Sequence, residues 1–327
     1  MPFISVIVTA YRRRQYLYNA LLSVKAQTLP KDKYEVVVVK DFEDPQVDSL
    51  IKEMGWKSVY SDEEYQGRMY LNGLKEADGD IIAFLDDDDT YTPNKLEYVY
   101  NVFSQNPDVG YLQHSFTPVD VDGSPKPCLA REAPRNLVPR NELKLTWEEI
   151  EKYKYYGVQD PVLFVLYNYR TFADKNSTTI AVKRELLERR KDVLAELPIA
   201  FDSFLFASAL ADRVSLYFSN VSLSSWRFHD SNFSTWYMLP DTDRHKAAAL
   251  SFYYLAYSLI GRKVLNYYPN YYACLGEQHK LIYLNIVRRF GKPITSAAPD
   301  ADTIMWCCSN GMCFPELSMY LLSSVKQ

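Results

Sequence analysis

Short apolar runs alternate with stretches of helical periodicity along the first part of the chain. Runs rich in Val and Ile predict strands at residues 4–9, 35–39 and 81–85, and a shorter run predicts a strand at residues 57–60. Apolar residues recur at helical spacing in the intervals, which predicts helices at residues 15–26, 45–54 and 67–77, the last ended by Gly79. Continuous apolar strands that alternate with helices are typical of a mostly parallel sheet covered by helices. The pattern therefore predicts an α/β fold.

The pattern changes after residue 93, where strands and helices no longer alternate regularly. Further strands are predicted at residues 109–116, 178–182, 214–218 and 221–228, with a turn at Asp122-Gly123. Helices are predicted from Pro93 and at residues 147–155, 183–195 and 198–211, and again from Asp241 onward. Residues 130–144 are rich in Pro, Arg and Asn and predict a loop that could close over a ligand.

Four consecutive aspartates, residues 86–89, follow the apolar run 81–85 directly. Thr92 could then cap a helix whose first position is Pro93, where a missing N–H costs nothing. Four adjacent negative charges repel one another, and their burial needs a compensating cation. Hard divalent ions take carboxylate oxygens and often keep phosphate as a further ligand. Asp86 and Asp88 lie on the same side of the chain if it is extended there. The sequence therefore favours a metal–diphosphate site, with a solvated acidic turn as the alternative.

Three polar segments follow three of the predicted strands, at residues 9–14, 40–44 and 86–89. In open α/β sheets, ligands bind beyond the carboxyl ends of the strands. We therefore expect these segments to converge on one binding site.

Composition narrows the class of protein. The 327 residues are 47% hydrophobic and 24% charged, which is sufficient for one large domain with additions or for two domains. A net charge of −4 gives no reason to expect a nucleic-acid partner.

The five cysteines include the cluster Cys307, Cys308 and Cys313, whose spacing favours inert thiols over zinc. No signal peptide and no membrane-spanning run is found, so we expect a cytoplasmic location.

Five short motifs follow one another along the chain. They are a strand ending in Thr9-Ala10-Tyr11, an aspartate loop at residues 39–44, the segment ADGDIIAFLDDDD at 77–89, Asp202 after Phe201, and WRFHDSNFS at 226–234. Together they resemble the inverting glycosyltransferases of family 2, which have a GT-A fold, over about residues 3–235. The Asp-Asp-Gly-Ser usual in the second motif is absent, and Phe201 replaces an acid.

The resemblance implies a domain plan and a chemistry. Residues 1–238 would form a GT-A (Rossmann-like) catalytic domain, with a nucleotide-binding half at about 1–116 and an acceptor half at about 117–238. Residues 239–327 would form a helical C-terminal extension. A divalent metal, Mn²⁺ or Mg²⁺, would be held by Asp86, Asp88 and His229 and would stabilise the leaving diphosphate.

The resemblance also assigns residues to the donor and to catalysis. The nucleotide-sugar donor would contact Thr9, Ala10, Tyr11, Asp41, Arg68, Asp86 and Asp87. Tyr11 would face the base, and Asp41 would accept a hydrogen bond from a ring N–H of the base. Arg68 would bind base or phosphate, although a surface arginine at a helix start is the alternative. Arginines 12–14 supply positive charge near the mouth but are not assigned to the site, because a solvated loop explains them equally well.

Inversion requires one general base opposite the leaving diphosphate. Asp202 is the candidate from its motif position, with Asp160 and Asp174 as weaker ones. The alternative for Asp202 is an acid at a helix N-terminus, favoured by the helix dipole.

The acceptor side and the tail leave alternatives open. The acceptor could be a glycan, a lipid-linked group or a protein. Residues 247–260 are apolar and aromatic, with basic residues after them, and are too short to span a bilayer. A helix packed on the catalytic domain is favoured there, with peripheral membrane contact or a homodimer contact as alternatives.

Two other functions are alternatives for the whole chain. A sugar-nucleotide nucleotidyltransferase would need a glycine-rich phosphate loop, and residues 9–20 contain no Gly. A catalytically silent nucleotide- or sugar-binding module is consistent with the two motif departures.

Overall fold

The structure is a computed structural model that describes residues 2–125, 141–152, 176–195, 197 and 201–229. The chain divides into two compact units, Met1–Phe233 and Ser234–Gln327, and every described residue belongs to the first. Several predictions fall outside the described residues: the general-base alternatives Asp160 and Asp174, the helical extension, the cysteine cluster, and most of the loop at 130–144. The domain boundaries and the cytoplasmic location stay predictions.

The described residues form nine strands and eight α-helices. The strands are β1 (Ile4–Ala10), β2 (Tyr34–Lys40), β3 (Lys57–Tyr60), β4 (Ile81–Asp86), β5 (Thr90–Tyr91), β6 (Val109–Val119), β7 (Glu142–Leu145), β8 (Ile180–Lys183) and β9 (Ser215–Arg227). The helices are α1 (Leu17–Lys25), α2 (Pro45–Met54), α3 (Gln66–Glu76), α4 (Lys95–Gln105), α5 (Trp147–Lys152), α6 (Arg184–Glu188), α7 (Lys191–Ala195) and α8 (Phe201–Ala211). Short 3-10 turns precede β2, at Lys31–Lys33, and β8, at Ser177–Thr179.

One mixed sheet joins all nine strands in the order β3-β2-β1-β4-β8-β6-β9-β5, with β7 paired to β9. The strands β3, β2, β1 and β4 are parallel. The strand β8 is antiparallel to both β4 and β6, whereas β6 and β9 are parallel. This is the α/β sheet expected from the apolar pattern, and its second half is mixed rather than parallel.

The parallel strands are apolar because both of their faces are covered. Side chains alternate across β1, so that Val6 and Val8 share a core cluster with Leu17 and Leu21 of α1. On the other face, Gly73 of α3 approaches the Ile7 side chain so closely that a Cβ would come within 2.7 Å of it. The sheet is therefore a buried layer between helices.

The pairing register places the carboxyl ends of the central strands at the same edge of the sheet. Thr9 is opposite Val39 on β2 and opposite Asp86 on β4. The segments that follow β1, β2 and β4 therefore start from the same edge of the sheet, as predicted.

The predicted helix start at Pro93 is wrong. Thr90 and Tyr91 pair with β9, and the N–H of Thr92 donates to the carbonyl of Leu223 over 2.9 Å. This pairing holds the chain extended, so that α4 begins only at Lys95. Gly79 does not end α3 either, because the helix stops at Glu76 and its cap is Ala77.

Other boundaries also differ from the predictions. The predicted strands at 214–218 and 221–228 are one strand, β9, whose pairing with β6 is irregular near Ser115. The predicted helix at 183–195 is two short helices, α6 and α7. Glu142–Leu145 is a strand paired with β9 instead of the end of a loop. No helix within the described residues has the length and apolarity needed to cross a membrane.

Candidate functional site

The acidic run folds into a buried turn at the carboxyl end of β4. Asp87, Asp88 and Asp89 are only 5%, 7% and 2% exposed, although each carries a carboxylate. The N–H of Asp89 donates to the carbonyl of Asp86 over 3.2 Å and closes the turn. Burial of this many carboxylates requires cations or hydrogen-bond donors around them, and the surrounding elements provide both.

Hydroxyl groups from two distant elements hold the Asp86 carboxylate. Tyr70 on α3 donates to Oδ1 over 3.1 Å, and Ser177 donates to Oδ2 over 2.8 Å. Thr178 Oγ1 accepts the backbone N–H of Asp86 over 3.1 Å. Burial and repulsion from Asp88 raise the pKa of Asp86 to about 6, while the hydrogen bonds from Ser177 and Tyr70 lower it.

Arg13 is the main cation of the acidic turn. Its Nε donates to Asp87 Oδ2 over 2.8 Å and its Nη2 to Asp87 Oδ1 over 2.5 Å. The same Nη2 lies 2.7 Å from Asp88 Oδ2. Burial opposes the charge of Arg13, but its hydrogen bond to Asp87 and the nearby carboxylates outweigh burial and raise its pKa. Burial raises the pKa of Asp87 to about 7, whereas this two-point contact with Arg13 favours its ionised form.

Asp88 and His229 meet on the same side of the turn. Asp88 Oδ2 lies 2.9 Å from His229 Nε2, and the imidazole packs against the ring of Tyr16 at 5.1 Å between centroids. His229 follows β9, so the sheet brings together two residues that are far apart in sequence. These are two of the three predicted metal ligands.

The third predicted ligand, Asp86, is held by Tyr70 and Ser177 instead. Among the described residues, no group of three or more His, Cys, Asp or Glu side chains has a metal-holding arrangement. The Asp88 carboxylate suits Mn²⁺ or Mg²⁺, because such ions are commonly bound by one or two carboxylates plus substrate phosphates, and the His229 imidazole can supply a further nitrogen ligand. The residues present therefore fit a metal that arrives together with a diphosphate.

A second layer of contacts fixes the far end of the turn. The N–H of Arg227 donates to Asp89 Oδ1 over 3.0 Å, and its Nε donates to the Asp88 carbonyl over 2.9 Å. The fully buried Lys95 donates its ammonium group to the carbonyl of Thr178. Burial lowers the pKa of Lys95, and the charges of Asp89 and Asp86 oppose this shift.

Asp202, the predicted general base, is the second residue of α8. The backbone N–H of Asn176 donates to Asp202 Oδ2 over 2.7 Å, while Asn176 Nδ2 donates to Asp89 Oδ2 over 3.3 Å. Asn176 therefore joins Asp202 to the acidic turn, with its backbone at φ 62. The charge of Asp202 also acts on Asp86, whose pKa it raises.

Phe201 takes part in an aromatic cluster. Its ring stacks on Tyr70 at 3.7 Å between centroids and meets Phe84 edge-on at 4.9 Å. An ionised acid at this position would be buried against apolar rings, which accounts for the motif departure in physical terms.

The predicted base-binding residues also converge. The N–H of Arg12 donates to Asp41 Oδ1 over 2.8 Å, which joins the segments that follow β1 and β2. The Arg12 guanidinium covers the ring of Tyr11 at 4.7 Å. The Tyr11 hydroxyl is buried without a partner among the described residues. Thr9 donates its hydroxyl to the Tyr70 oxygen over 3.4 Å, and Ala10 lies buried at the end of β1.

Arg68 is directed to another part of the structure. Its Nε donates to the carbonyl of Ala195 over 2.9 Å, and its Nη1 lies 3.3 Å from Glu63. The guanidinium also covers Tyr65 at 4.7 Å. These contacts describe a side chain that links α3 to α7, while its predicted role toward the donor stays a prediction.

Several residues around the acidic turn were missed from the sequence, among them Arg13, Asn176 and Arg227. Arg227 stands in the same motif as His229, and the surplus of carboxylates in the acidic run required a cation. The shared motif and the need for a cation both indicated a basic residue at the acidic turn, but they did not identify which arginine it would be. Asn176 had no signal, because its role depends on a backbone turn outside any regular element.

Curated relatives match part of this chain. An uncharacterised glycosyltransferase of Nostoc sp. is 32% identical over 117 residues, which are 34% of this chain and 36% of that protein. The glycosyltransferase AglE of Haloferax volcanii is 31% identical over 94 residues, which are 27% of this chain and 31% of that protein. The chain thus matches about a third of the length of the relatives that it resembles.

Solved structures match more of it at lower identity. TarS of S. aureus, in complex with UDP-GlcNAc, has a TM-score of 0.53 at 15% identity, over 88% of this chain and 80% of that one. The mannosyltransferase PcManGT of Pyrobaculum calidifontis, in complex with GDP-Man and Mn²⁺, has a TM-score of 0.51 at 15% identity, over 99% and 80%. These matches confirm the predicted GT-A fold.

A family profile described as glycosyl transferase family 2 matches residues 5–178. That span contains the acidic turn, the segments after β1 and β2, and the residues that hold Asp86. Because the match covers more than half of the 327 residues, the chain belongs to glycosyl transferase family 2, as its motifs predicted.

Proposed function

We propose that this chain is a metal-dependent inverting glycosyltransferase. It moves a sugar from a nucleoside-diphosphate sugar, with uridine as the expected base, to an acceptor hydroxyl group. The observation that carries the proposal is the pairing of Asp88 with His229 in a buried acidic turn at the carboxyl end of a family 2 sheet. TarS with UDP-GlcNAc and PcManGT with GDP-Man and Mn²⁺ indicate the class of donor to test.

The leaving group sets the first chemical requirement. Breaking the bond to the sugar develops negative charge on the diphosphate, which must be stabilised. Asp88 and His229 would hold the metal, which supplies Lewis acidity toward that charge. Asp86 and Asp87 would lie beside the donor, with Tyr70, Ser177 and Arg13 keeping their carboxylates in place.

The acceptor hydroxyl sets the second requirement. A general base must take its proton as the hydroxyl attacks the anomeric carbon from the side opposite the diphosphate. Asp202 is the base in this proposal. The hydrogen bond from the Asn176 N–H orients one oxygen of the Asp202 carboxylate.

The nucleoside would lie beside the segments that follow β1 and β2. Tyr11 offers a ring face and Asp41 a carboxylate, and the Arg12 N–H holds one oxygen of Asp41 at 2.8 Å. The carboxylate of Asp41 would accept a hydrogen bond from a base that presents a ring N–H, as uracil does.

The test is donor binding and turnover with the purified full chain and Mn²⁺, against a panel of uridine and guanosine diphosphate sugars. Wild-type protein should bind one donor in the presence of metal and hydrolyse or transfer its sugar. Asp88→Ala should abolish the metal-dependent part of binding. Asp202→Asn should keep donor affinity within about threefold while turnover falls by about a hundredfold or more.

Two results would contradict the proposal. Wild-type binding of a donor without turnover, even with a library of hydroxyl acceptors, favours the silent binding module. No binding of any nucleotide sugar with either Mn²⁺ or Mg²⁺ removes the donor assignment altogether. Asp122→Asn, on an exposed turn, is a matched control for the aspartate variants.

A further inference from the structure

Two nitrogen-bearing groups share one oxygen of Asp88. Arg13 Nη2 lies 2.7 Å from Asp88 Oδ2, and His229 Nε2 lies 2.9 Å from the same atom. Arg13 Nη1 is in turn 3.2 Å from His229 Nε2. The guanidinium therefore spans the edge between the carboxylate oxygen and the imidazole nitrogen.

Nε2 of His229 carries either a proton or a lone pair, depending on the tautomer of the imidazole. If Nε2 carries a proton, it donates to Asp88, and the N–H of Arg13 points at a group that cannot accept. If Nε2 carries a lone pair, it accepts from Arg13 and faces Asp88 as a second acceptor. In the second arrangement, Oδ2 and Nε2 both present lone pairs to one cation, as they would to a metal ion.

The spacing of the two acceptors suits an ion as well. Adjacent ligands of an octahedral Mg²⁺-type ion, each about 2.1 Å from it, are about 3.0 Å apart. Asp88 Oδ2 and His229 Nε2 are 2.9 Å apart. Because the Arg13 guanidinium contacts both atoms, it would compete with a metal ion for them.

Asp87 provides a pivot for Arg13. It binds the Nε and Nη2 side of the guanidinium with both oxygens, at 2.8 and 2.5 Å. Arg13 lies between β1 and α1, outside any helix or strand, and its side chain is 21% exposed. The Nε hydrogen bond to Asp87 can therefore persist when the Nη atoms turn from Asp88 toward another anion.

We propose that Arg13 is the diphosphate-binding cation of this site, and that it leaves Asp88 and His229 to the metal when a diphosphate arrives. The inference rests on the proposed function and deepens it. In the absence of diphosphate, Arg13 lowers the affinity of the site for metal. A diphosphate gives Arg13 a new anionic partner, so metal and diphosphate reinforce each other's binding, and thermodynamic linkage makes this effect reciprocal.

The experiment measures two affinities of the full chain separately: Mn²⁺ alone, and inorganic pyrophosphate or UDP without metal. Arg13→Gln should bind Mn²⁺ alone at least about fivefold more tightly than wild type, because the competitor is gone. The same variant should bind metal-free pyrophosphate and UDP at least about fivefold more weakly.

Arg14→Gln is the matched control. It removes the same charge from the neighbouring position, where the guanidinium covers the ring of Phe42 at 5.1 Å. A general gain in negative charge would tighten Mn²⁺ binding equally in both variants. The proposal requires a clearly larger gain for Arg13→Gln.

Opposite shifts in the two affinities separate this role from a structural one. If Arg13 had only a structural role, its replacement would weaken the binding of both Mn²⁺ and metal-free pyrophosphate. If folded Arg13→Gln binds Mn²⁺ no better than Arg14→Gln, or binds metal-free pyrophosphate as well as wild type, the inference is wrong. If wild type binds no nucleotide sugar at all, the proposed function fails, while the comparison with Mn²⁺ alone still decides whether Arg13 competes for the metal edge.

Discussion

The Asp86 carboxylate depends on a hydroxyl group that a single substitution removes. Tyr70 donates to Asp86 Oδ1, and this hydrogen bond favours the ionised carboxylate, whose pKa burial raises to about 6. In Tyr70→Phe the ring can still stack on Phe201. The pKa of Asp86 should then rise further, and binding of Mn²⁺ with UDP should move to higher pH. The free energy of unfolding should fall by about 1–2 kcal/mol at neutral pH.

The check is a titration of UDP–Mn²⁺ affinity between about pH 5 and pH 8, with urea unfolding at about pH 7. Tyr98→Phe is the matched control, because its hydroxyl contacts Glu142 and Ser219 instead of Asp86. An unchanged pH profile in Tyr70→Phe would mean that ionised Asp86 is not needed for binding.

At this scale the sequence predicted Asp88 and His229 as neighbours, but it did not distinguish Arg13 from Arg12 and Arg14. All three stand in one polar segment, where residue type and charge are equal. The backbone decides between them: Arg12 has φ 54 and directs its N–H to Asp41, and the next residue, Arg13, reaches the acidic turn. A left-handed turn at a non-glycine residue leaves no pattern of apolar positions to read.

Among the elements, the connection from α3 to β4 depends on a glycine. A Cβ on Gly79 would lie 2.5 Å from the backbone nitrogen of Ser5 and 2.9 Å from the carbonyl carbon of Ile4. Gly79→Ala should lower the free energy of unfolding by about 1–3 kcal/mol, because backbone atoms of β1 cannot move aside easily. Urea unfolding measures this.

The control for Gly79→Ala is Gly55→Ala, at the left-handed cap of α2. Gly55 has φ 65 and open space around its missing Cβ. Its replacement should cost about 1 kcal/mol through backbone strain alone. Equal small effects at the two positions would show that the contact of Gly79 with β1 is not tight.

An ion pair adds to the backbone pairing that joins the edge strand β7 to β9. Lys144 on β7 lies 2.6 Å from Asp108, which also accepts a hydrogen bond from Ser215 on β9. The hydrogen bond from Lys144 lowers the pKa of Asp108 below its ordinary 3.8. The stabilising contribution is therefore present above that value and is lost as pH falls through the lower, folded-state pKa.

Asp108→Asn should lower the free energy of unfolding by less than about 1 kcal/mol at about pH 7, since both side chains are partly exposed. The difference from wild type should vanish near pH 2. Parallel urea titrations at the two pH values measure it, with Asp122→Asn as a control expected to stay within about 0.5 kcal/mol of wild type. A difference that persists at the lower pH would assign the effect to packing.

The elements that the sequence predicted well are those with strong local signals. Pro45–Met54 and Lys57–Tyr60 have the predicted bounds, since Asp44 caps the helix and Gly55 ends it. The two-residue β5 was missed, and the single long strand β9 was predicted as two strands. Their existence depends on pairing between residues more than a hundred positions apart, which no local pattern encodes.

Over the whole described unit, the mixed sheet explains how one acidic turn gathers partners from distant segments. The parallel strands bring Arg13 to the turn, while β8 and β9 bring Ser177 and Arg227 to its other side. The turn is thus held by contacts from both halves of the sheet. Its geometry should form only when both halves are folded, which would couple the proposed donor binding to global stability.

The last prediction concerns the extent of chain that donor binding requires. Every described residue proposed to contact metal or donor lies between Thr9 and His229, within the unit Met1–Phe233. A fragment of residues 1–238, the predicted catalytic domain, should therefore fold and bind UDP with Mn²⁺ within about threefold of the full chain. Circular dichroism and calorimetric titration measure both properties, and Asp88→Ala in the fragment supplies the negative control. A folded fragment that has lost binding would show that residues 239–327 contribute to the donor site, and an unfolded one would place the domain boundary elsewhere.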